Sequence, residues 1–428
     1  MKVAVVGLGA AGLRATMLLE AAGHNPLLYE ARPRLGGRLR TYREPGLAFD
    51  TGGEWFDADH HRCLSLLSEL GIESDPAVSW PGRVVFQGNE CWDDTLWTDA
   101  LEDDLRVEAA ARELCRELDT IPWRNTSHRD LDRKTLADFL RENTHSERGY
   151  WWTMANLRSD EGEDPERISL LGWLCGFMHY LDRESTAMSA FRVPGGMGRL
   201  VDGMASRLES KVHTDAVLER VCRGTDSVTL QFENFEVDVD HAILTLPPPC
   251  LERIVFDPPL SCDKRCAIEA CRMSRVVKLV WEFDRPWWRE GGWSGRLLCD
   301  RPLQQVWDGT RDDRPVLTAY VCGDDAEHWI KHSNPVQGGL EELIRLAPEA
   351  RNTFVQGWFF DWVNDPFSHG AFSHLPQHYV LDYMPHIREP EGRVHFAGEH
   401  TAFWTGFIEG SLESAERVVQ EVLDGHVS

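Results

Sequence analysis

The chain has 428 residues, of which 42% are hydrophobic and 27% are charged, and its formal net charge is −25. The length predicts about two or three domains, and the apolar share suffices for a buried core, which excludes a disordered or fibrous protein. A chain this acidic lacks the basic face that binds phosphate backbones, so nucleic acid is excluded as a partner.

Cysteine spacing and the first residues of the chain bear on its compartment. The 11 cysteines include no Cys-x-x-Cys pair, and the nearest approach to a cluster, Cys262, Cys266 and Cys271, lacks metal-site spacing. We therefore predict free thiols, no metal and a reducing compartment. Residues 1–7 show a strand pattern in place of a signal peptide, and no apolar run approaches the roughly 20 residues of a membrane span. The expected location is cytoplasmic, without a membrane partner.

The first 30 residues predict one βαβ unit. Val3–Val6 is an apolar strand, a glycine-rich turn follows it, residues 13–22 have a helical pattern, and Leu27–Tyr29 is a second apolar strand. A unit of this kind at the start of a chain is typical of an α/β protein with a parallel sheet.

The turn inside this unit carries the motif Gly-x-Gly-x-x-Gly. Gly7 allows the tight turn, Gly9 lets a pyrophosphate approach the backbone, and Gly12 lets helix and strand pack closely. The helix N-terminus offers unpaired N–H groups to the phosphates. Glu30 ends the second strand, where its carboxylate can accept hydrogen bonds from ribose hydroxyls. Together these features predict a dinucleotide site.

The remaining elements follow in chain order. Helices are predicted at 99–121 and 133–142, with further buried helices within 150–180, and short strands at 217–221, 227–232 and 241–246. A buried strand is predicted at 275–283, a strand at 393–396, and an amphipathic helix at 407–423.

A second glycine loop, Gly36-Gly37-Arg38, lies a few residues beyond Glu30. NAD-binding domains do not usually carry such a loop. With its other motifs the chain resembles the flavin-dependent amine oxidase superfamily, which includes monoamine and polyamine oxidases and L-amino acid oxidases. The motifs are residues 7–12 with Glu30, Gly36-Gly37-Arg38, Gly52-Gly53-Glu54-Trp55, Pro194-Gly195-Gly196-Met197, Lys278 with Phe283 and Trp287-Trp288, Trp362 with Asp365 and Gly370, residues 396–401, and residues 406–410.

The resemblance implies an α/β fold in which a Rossmann-like FAD-binding domain, of the glutathione-reductase type, is interleaved with an α+β substrate-binding domain. We expect the FAD-binding domain to comprise residues 1–57, 190–262 and 386–428, and the substrate-binding domain 58–189 and 263–385.

The resemblance also implies the FAD contacts. Glu399 is expected near the pyrophosphate and ribityl chain, and the backbone of Val217 near the adenine. Ala371 occupies the place where relatives carry a flavin-linking cysteine, so the FAD should be non-covalent. The cofactor-binding residues expected on this basis are Gly7, Gly9, Ala11, Gly12, Glu30, Ala31, Arg32, Gly37, Arg38, Gly53, Glu54, Trp55, Val217, Trp362, Gly398, Glu399, Gly406, Phe407 and Ile408.

Three residues are expected to be catalytic: Lys278, Phe372 and Phe407. A lysine in an apolar strand is costly without a partner. The resemblance implies that Lys278 is held through a water at the flavin N5 and serves reoxidation by O₂, while the alternative is a lysine at an exposed strand edge. Phe372 and Phe407 match the two aromatic positions that line the approach to the flavin. Trp404 and Trp55 are further candidates for lining it.

The expected reaction converts a small-molecule amine to an imine, with O₂ reduced to H₂O₂, and a homodimer is a further expectation. One alternative is an L-amino acid oxidase, which needs a cation for the substrate carboxylate. No arginine follows Gly52-Gly53 here, although Arg192 could serve. A second hypothesis is a carbon–carbon desaturase or protoporphyrinogen-type oxidase, which prefers large apolar substrates, and a third is a non-catalytic flavoprotein.

Overall fold

The computed structural model describes residues 1–76, 81–181 and 188–425. In chain order the strands are β1 (Val3–Val6), β2 (Leu27–Tyr29), β3 (Thr41–Glu44), β4 (Leu47–Asp50), β5 (Asp75–Pro76), β6 (Arg83–Phe86), β7 (Asn89–Trp92), β8 (Phe191–Arg192), β9 (Val212–His213), β10 (Leu218–Arg223), β11 (Val228–Phe232), β12 (Phe235–Val239), β13 (His241–Leu244), β14 (Val255–Asp257), β15 (Arg272–Met273), β16 (Val276–Phe283), β17 (Leu297–Cys299), β18 (Gln305–Asp308), β19 (Val316–Cys322), β20 (Phe354–Asp361), β21 (Ser373–His374) and β22 (Val394–Phe396).

Helices connect and cover these strands. They are α1 (Ala10–Ala21), α2 (His61–Leu70), α3 (Thr98–Cys115), α4 (Arg129–Arg133), α5 (Leu136–Asn143), α6 (Glu147–Glu161), α7 (Leu170–Phe177), α8 (Gly198–Ala205), α9 (Pro248–Leu251), α10 (Cys262–Ala270), α11 (Trp287–Glu290), α12 (Gly323–Lys331), α13 (Pro335–Leu346), α14 (Tyr379–Asp382), α15 (Met384–Arg388) and α16 (Ile408–Gly425). None of the helices in the described ranges combines the length and the apolar character that a bilayer span requires.

A parallel five-stranded sheet forms the first layer, in the order β22-β13-β1-β2-β9. All four residues of β1 are buried at its centre, which suits the continuous apolar run in the sequence. The helix predicted at 13–22 begins earlier, at Ala10. Its first turn includes Gly12, a residue of low helix propensity, and the close approach to β1 described below compensates for that cost.

A seven-stranded sheet forms the second layer, in the order β20-β16-β19-β18-β17-β6-β7. β16 pairs antiparallel with both β19 and β20, and all eight of its residues are buried. Lys278 therefore lies on an interior strand, and the alternative of an exposed strand edge is wrong. The β3–β4 hairpin packs on this sheet, where Leu47 and Phe49 contact Val280.

The middle strands are divided between two sheets. β10, β11, β12 and β14 form a separate four-stranded sheet, while β13 joins the parallel one. β12 was not among the predicted strands, because its exposed Glu236 and Asp238 make it resemble a loop. Both acidic residues lie on an edge strand, where charged side chains are common.

The predicted helices are present with shifted ends. The helix expected at 99–121 ends at Cys115. The buried region 150–180 is divided into α6 and α7, because Gly162 ends α6 with a φ of 68°. These helices and the four-stranded sheet share the largest hydrophobic cluster.

The observed architecture confirms the predicted fold class. The parallel sheet draws its strands from segments within 1–57, 190–262 and 386–428, and the seven-stranded sheet from segments within 58–189 and 263–385. The domain boundaries themselves stay a prediction. Residues 77–80, 182–187 and 426–428 of these ranges lie outside the described residues.

Candidate functional site

One cavity begins where four parallel strands end. β1, β2, β13 and β22 all run in the same direction, so their carboxyl ends meet at one edge of the sheet, the usual position of a ligand in such folds. From that edge the cavity extends to Lys278 on the seven-stranded sheet. All of the predicted site residues line this cavity except Gly12, Glu54, Trp55 and the further candidate Trp404.

The N-terminus of α1 faces the cavity with free backbone donors. Gly9 is the N-cap and provides no side-chain cap, and the first turn carries no acidic residue. A Cβ added to Gly9 would meet no atom closer than 3.9 Å, so the glycine leaves its backbone open to the cavity. An unfilled N-terminus of this kind suits a phosphate.

Gly12 contributes by packing rather than by lining the cavity. A Cβ at this position would lie 1.9 Å from the carbonyl oxygen of Gly7. Only glycine therefore lets α1 lie this close to the end of β1, and this contact fixes where the free N–H groups point.

Glu30 lies at the end of β2, as the sequence predicts. Its two carboxylate oxygens accept hydrogen bonds from the backbone N–H groups of Leu8 (2.8 Å) and Arg32 (2.9 Å). The carboxylate thus joins the glycine turn to the loop after β2. Carboxylate oxygens have further lone pairs, so Glu30 can accept additional hydrogen bonds from a ligand in the cavity.

Two arginines and a glutamate organise the middle of the cavity. Arg38 donates to Glu399 Oε1 at 2.8 Å and to the Ala371 carbonyl at 2.9 Å. Glu399 also accepts from the backbone N–H of Gly406 at 2.9 Å. Burial opposes its ionisation, but Arg38, His400 and the Ser373 hydroxyl together lower the pKa of Glu399. Arg32 is fixed by an ion pair with Asp365.

The far end of the cavity is apolar and tightly packed. A Cβ added to Gly162 would lie 2.6 Å from the ring tip of Phe372, and one added to Gly406 would lie 3.1 Å from the same ring. Phe407 lies edge-on to His60, with 5.1 Å between ring centroids, and 6.0 Å from Trp404. The two rings are thus held in place by neighbours on several elements.

Lys278 lies at this apolar end and is 3% exposed. Its ammonium donates to the carbonyl oxygens of Asp50 (3.1 Å) and Gly52 (2.9 Å) and to Glu54 Oε2 (3.2 Å). The lysine thereby connects the seven-stranded sheet to the segment after β4. The partner that a buried lysine requires is present.

Comparison with known proteins identifies the family. The chain matches the family of flavin-containing amine oxidoreductases over residues 10–423. The chain belongs to this family. An L-amino acid dehydrogenase of Synechocystis sp. is 26% identical to it, over 98% of this chain and 94% of the relative. The flavin-containing amine oxidase A of Sus scrofa is 24% identical, over 99% and 85% of the two chains.

The fold agrees with this assignment. The solved structure of cyclohexylamine oxidase from Brevibacterium oxydans superimposes with a TM-score of 0.91 at 24% identity, covering 100% of this chain and 99% of the other. The chain is thus an FAD-dependent oxidoreductase that acts on amines. The cavity fits FAD, because the open Gly9 backbone and the free α1 N-terminus suit its pyrophosphate and Glu30 suits its ribose.

Glu54 and Trp55 lie differently from the flavin contacts expected of them. Glu54 is buried behind the cavity, where it pairs with Lys278 and Arg192. The Trp55 ring lies beneath the Arg192 guanidinium, 4.1 Å from it. Both follow Gly53, which does line the cavity, but they extend away from it into a cluster of charges that the sequence did not reveal.

Several lining residues were not predicted. Tyr320 stands directly opposite Lys278 on the neighbouring strand β19. Strand register is set by long-range pairing, so a single sequence did not indicate this neighbour. Cys250 and Arg253, which also line the cavity, follow β13. These two could have been predicted from the sequence, because β13 is parallel to β1 and ends at the same edge of the sheet.

Proposed function

We propose that this enzyme oxidises the C–N bond of a simple amine to an imine, which water then hydrolyses, and that O₂ takes up the electrons and is reduced to H₂O₂. Bound FAD would supply the electron-accepting chemistry. The observation that carries the choice of substrate is the apolar far end of the cavity, where Lys278 is the cation that lines the cavity among the described residues and already donates to three acceptors.

The cations that line the cavity support this choice. Arg32, Arg38 and Arg253 all lie near Cys250, where their charges oppose the burial that raises the pKa of this thiol to about 11. They therefore lie between the nucleotide end and the middle of the cavity, where Arg38 is bound to Glu399 and Arg32 to Asp365. Lys278, at the other end, already donates to three acceptors.

Arg192 was the alternative receptor for a substrate carboxylate, and its contacts argue against that role. It donates to Glu54 Oε1 at 3.1 Å and to the Asp308 carbonyl at 2.7 Å, and it is 6% exposed. A buried arginine with these partners would have to abandon Glu54 to bind a substrate, which is costly.

For the cofactor we assign the residues that line the cavity. Gly7, Gly9 and the start of α1 would hold the pyrophosphate, Glu30 a ribose, and Val217 the adenine. The remaining lining residues would contact the rest of the FAD: Ala11, Ala31, Arg32, Gly37, Arg38, Gly53, Trp362, Gly398, Glu399, Gly406 and Ile408.

At the reactive end Phe372 and Phe407 would orient the amine between their rings and exclude water from it. Burial of this kind favours the neutral amine over the ammonium, because the charged form is costly in an apolar site. Lys278 would place a positive charge where O₂ acquires negative charge on reduction.

The FAD is proposed to be non-covalent. Ala371 lies at the place of the linking cysteine, and Cys250 is the only cysteine among the described residues that line the cavity. Its raised pKa keeps it a thiol, which is a poor nucleophile. Acid or heat denaturation should therefore release intact FAD into the supernatant, and flavin that stays with the precipitate would contradict this.

A matched pair of substrates tests the proposed reaction. 2-Phenylethylamine and phenylalanine differ only in the carboxylate, and H₂O₂ formation gives kcat/KM for each. An unpaired carboxylate in an apolar site costs at least about 3 kcal/mol, so the amine should be favoured roughly a hundredfold or more. Preference for phenylalanine would favour an L-amino acid oxidase instead, and turnover of an apolar polycycle would favour the desaturase or protoporphyrinogen-type oxidase.

Electron acceptor and assembly have separate tests. Turnover with an artificial dye but without H₂O₂ would contradict the assignment of O₂. The homodimer and the cytoplasmic location stay predictions, and light scattering on the purified protein would decide the first of them.

A further inference from the structure

The ammonium of Lys278 has no free hydrogen-bond donor. An ammonium carries three N–H groups, and Asp50 O, Gly52 O and Glu54 Oε2 accept one each, at 3.1, 2.9 and 3.2 Å. The first two acceptors are backbone carbonyls. Glu54 is therefore the one negatively charged partner that Lys278 contacts among the described residues.

Glu54 is itself held from the opposite side. Arg192 donates to its Oε1 at 3.1 Å, and the Trp307 indole N–H lies 3.1 Å from its Oε2. Glu54 is 3% exposed. The carboxylate cannot turn away from Lys278 without leaving a buried cation or a buried indole N–H without a partner.

The wider surroundings of Lys278 are rich in positive charge. Arg192 comes from β8 and Arg311 from the connection between β18 and β19, and both act on Glu54. Burial opposes ionisation of Glu54, but Lys278 and the two arginines together lower its pKa.

The other acidic groups near Lys278 offset its positive surroundings less than Glu54 does. Asp50 is also near, but burial and the charge of Glu54 raise its pKa to about 6. Asp308 is already bound to Arg289 and to the indole of Trp288. Tyr320 on β19 stays a neutral phenol, because burial raises its pKa well above the usual value, and Phe360 faces Lys278 from β20. Without Glu54, the buried cations Lys278, Arg192 and Arg311 would have Asp50 as their main negatively charged neighbour.

We propose that Glu54 is a positioning residue that fixes the Lys278 ammonium, and that it thereby acts on reoxidation of the enzyme without contacting the FAD. This inference rests on the role proposed above for Lys278. It replaces the cofactor contact that the sequence indicated for Glu54.

The test uses Glu54→Gln, Lys278→Met and the double variant, each loaded with FAD. Reoxidation of the reduced enzyme by O₂ is followed by stopped-flow absorbance from pH 6 to 10. The pH profile of the wild-type rate is the reference for the variants. In Glu54→Gln the rate should begin to fall at a pH at least about one unit lower than in wild type, because the charge that faces the buried ammonium has been removed.

A spectroscopic titration gives a readout that does not depend on turnover. The absorbance of the oxidised flavin should show the same displaced transition in Glu54→Gln and none in Lys278→Met. The double variant should behave as Lys278→Met alone in both measurements, since Glu54 acts through the lysine. The affinity for FAD should stay within about twofold of wild type in Glu54→Gln.

Glu282→Gln is the matched control. Glu282 is 4% exposed, lies on the same strand as Lys278 and is paired with Arg314, but it does not contact Lys278. It should lower stability as Glu54→Gln does and leave the pH profile unchanged. An equal displacement in this control would mean general destabilisation and would overturn the inference.

Two further results distinguish the proposed role of Glu54 from the role of Lys278 on which it rests. If Lys278→Met slows reoxidation and Glu54→Gln leaves the pH profile unchanged, the inference fails and the role of Lys278 stands. If Lys278→Met reoxidises at the wild-type rate, both fail. Should Glu54→Gln not fold, Glu54→Asp retains the charge at a greater distance, and its alkaline fall should be displaced by less than one unit but measurably; no displacement would overturn the inference.

Discussion

The two ends of the cavity are formed by different kinds of groups. The nucleotide end uses backbone N–H groups, glycines and the carboxylate of Glu30, nearly all within one βαβ unit. The reactive end uses side chains from separate elements, and its polar part is a buried cluster centred on Lys278, Glu54 and Arg192. The nucleotide end therefore depends on the close fit of its backbone, and the reactive end depends on buried charges that are paired with one another.

The difference has a consequence for substitutions. At the nucleotide end one added methyl group can displace a helix, because glycine is the only residue that fits between backbone atoms. At the reactive end the shape tolerates change, but removal of one charge leaves another buried and unpaired. Variants of the two ends should therefore fail in different ways.

The largest effect is expected for Gly12→Ala. Its Cβ would lie 1.9 Å from the Gly7 carbonyl oxygen, so α1 must move away from β1 and the phosphate-facing N–H groups move with it. We expect loss of FAD binding by more than about a hundredfold, with a lower unfolding midpoint. Flavin content after gel filtration and urea unfolding measure the two effects.

Gly9→Ala is the control for that variant. Its Cβ meets no atom closer than 3.9 Å and its φ is −75°, so the fold should be unaffected. It should weaken FAD binding, because the methyl group occupies the space that the pyrophosphate needs. Tight FAD binding by Gly9→Ala would show that the phosphate does not lie against this residue.

Lys278→Met is next in size and acts at the other end. Loss of the ammonium leaves Glu54 with one cation fewer, and breaking a buried pair costs about 3 kcal/mol. Reoxidation by O₂ should slow roughly ten- to a hundredfold, while anaerobic reduction by substrate continues. Stopped-flow measurement of each half-reaction separates the two steps, and equal slowing of both would contradict a role on the oxygen side.

The same contrast explains what the sequence could predict. The residues of the first βαβ unit are close in the chain, so Gly7, Gly9 and Glu30 could be placed by local pattern alone. Lys278 could be recognised as buried, but its partner Glu54 lies far away in the chain and looked like part of a cofactor motif. Tyr320 was missed for the same reason, since strand register depends on packing between distant segments.

A smaller effect is expected for Glu30→Ala at the nucleotide end. The carboxylate accepts from two backbone N–H groups and would accept from a ribose, and a charge-assisted hydrogen bond contributes about 1.5–3 kcal/mol. FAD affinity should fall roughly tenfold to a hundredfold. Fluorescence titration of the FAD-free protein gives the dissociation constant, with Glu20→Ala, near the far end of α1, as the control. Unchanged affinity would remove Glu30 from the cofactor site.

The smallest effect concerns Glu161, the last residue of α6, beside the Phe372 contact of Gly162. No described residue forms an ion pair or hydrogen bond with it, and burial raises its pKa from 4.5 to about 7. The native state therefore holds this proton up to about pH 7, whereas the unfolded chain releases it near pH 4.5. Release of this proton by the unfolded chain thus lowers the free energy of unfolding progressively between these pH values.

Glu161→Gln should remove that loss and leave reactive-end packing intact. We expect the free energy of unfolding of the variant to equal that of wild type at pH 4 and to exceed it by about 1–2 kcal/mol above pH 7. This difference is smaller than the pKa shift alone would give, because the Glu161 side chain is partly exposed to solvent. Urea unfolding at both pH values measures it. Glu147→Gln, at the exposed start of the same helix, is the control for replacing a carboxyl by an amide in α6. A gain for Glu161→Gln that is independent of pH would mean that it comes from packing of the amide and not from ionisation of the carboxyl, and would contradict the raised pKa of Glu161.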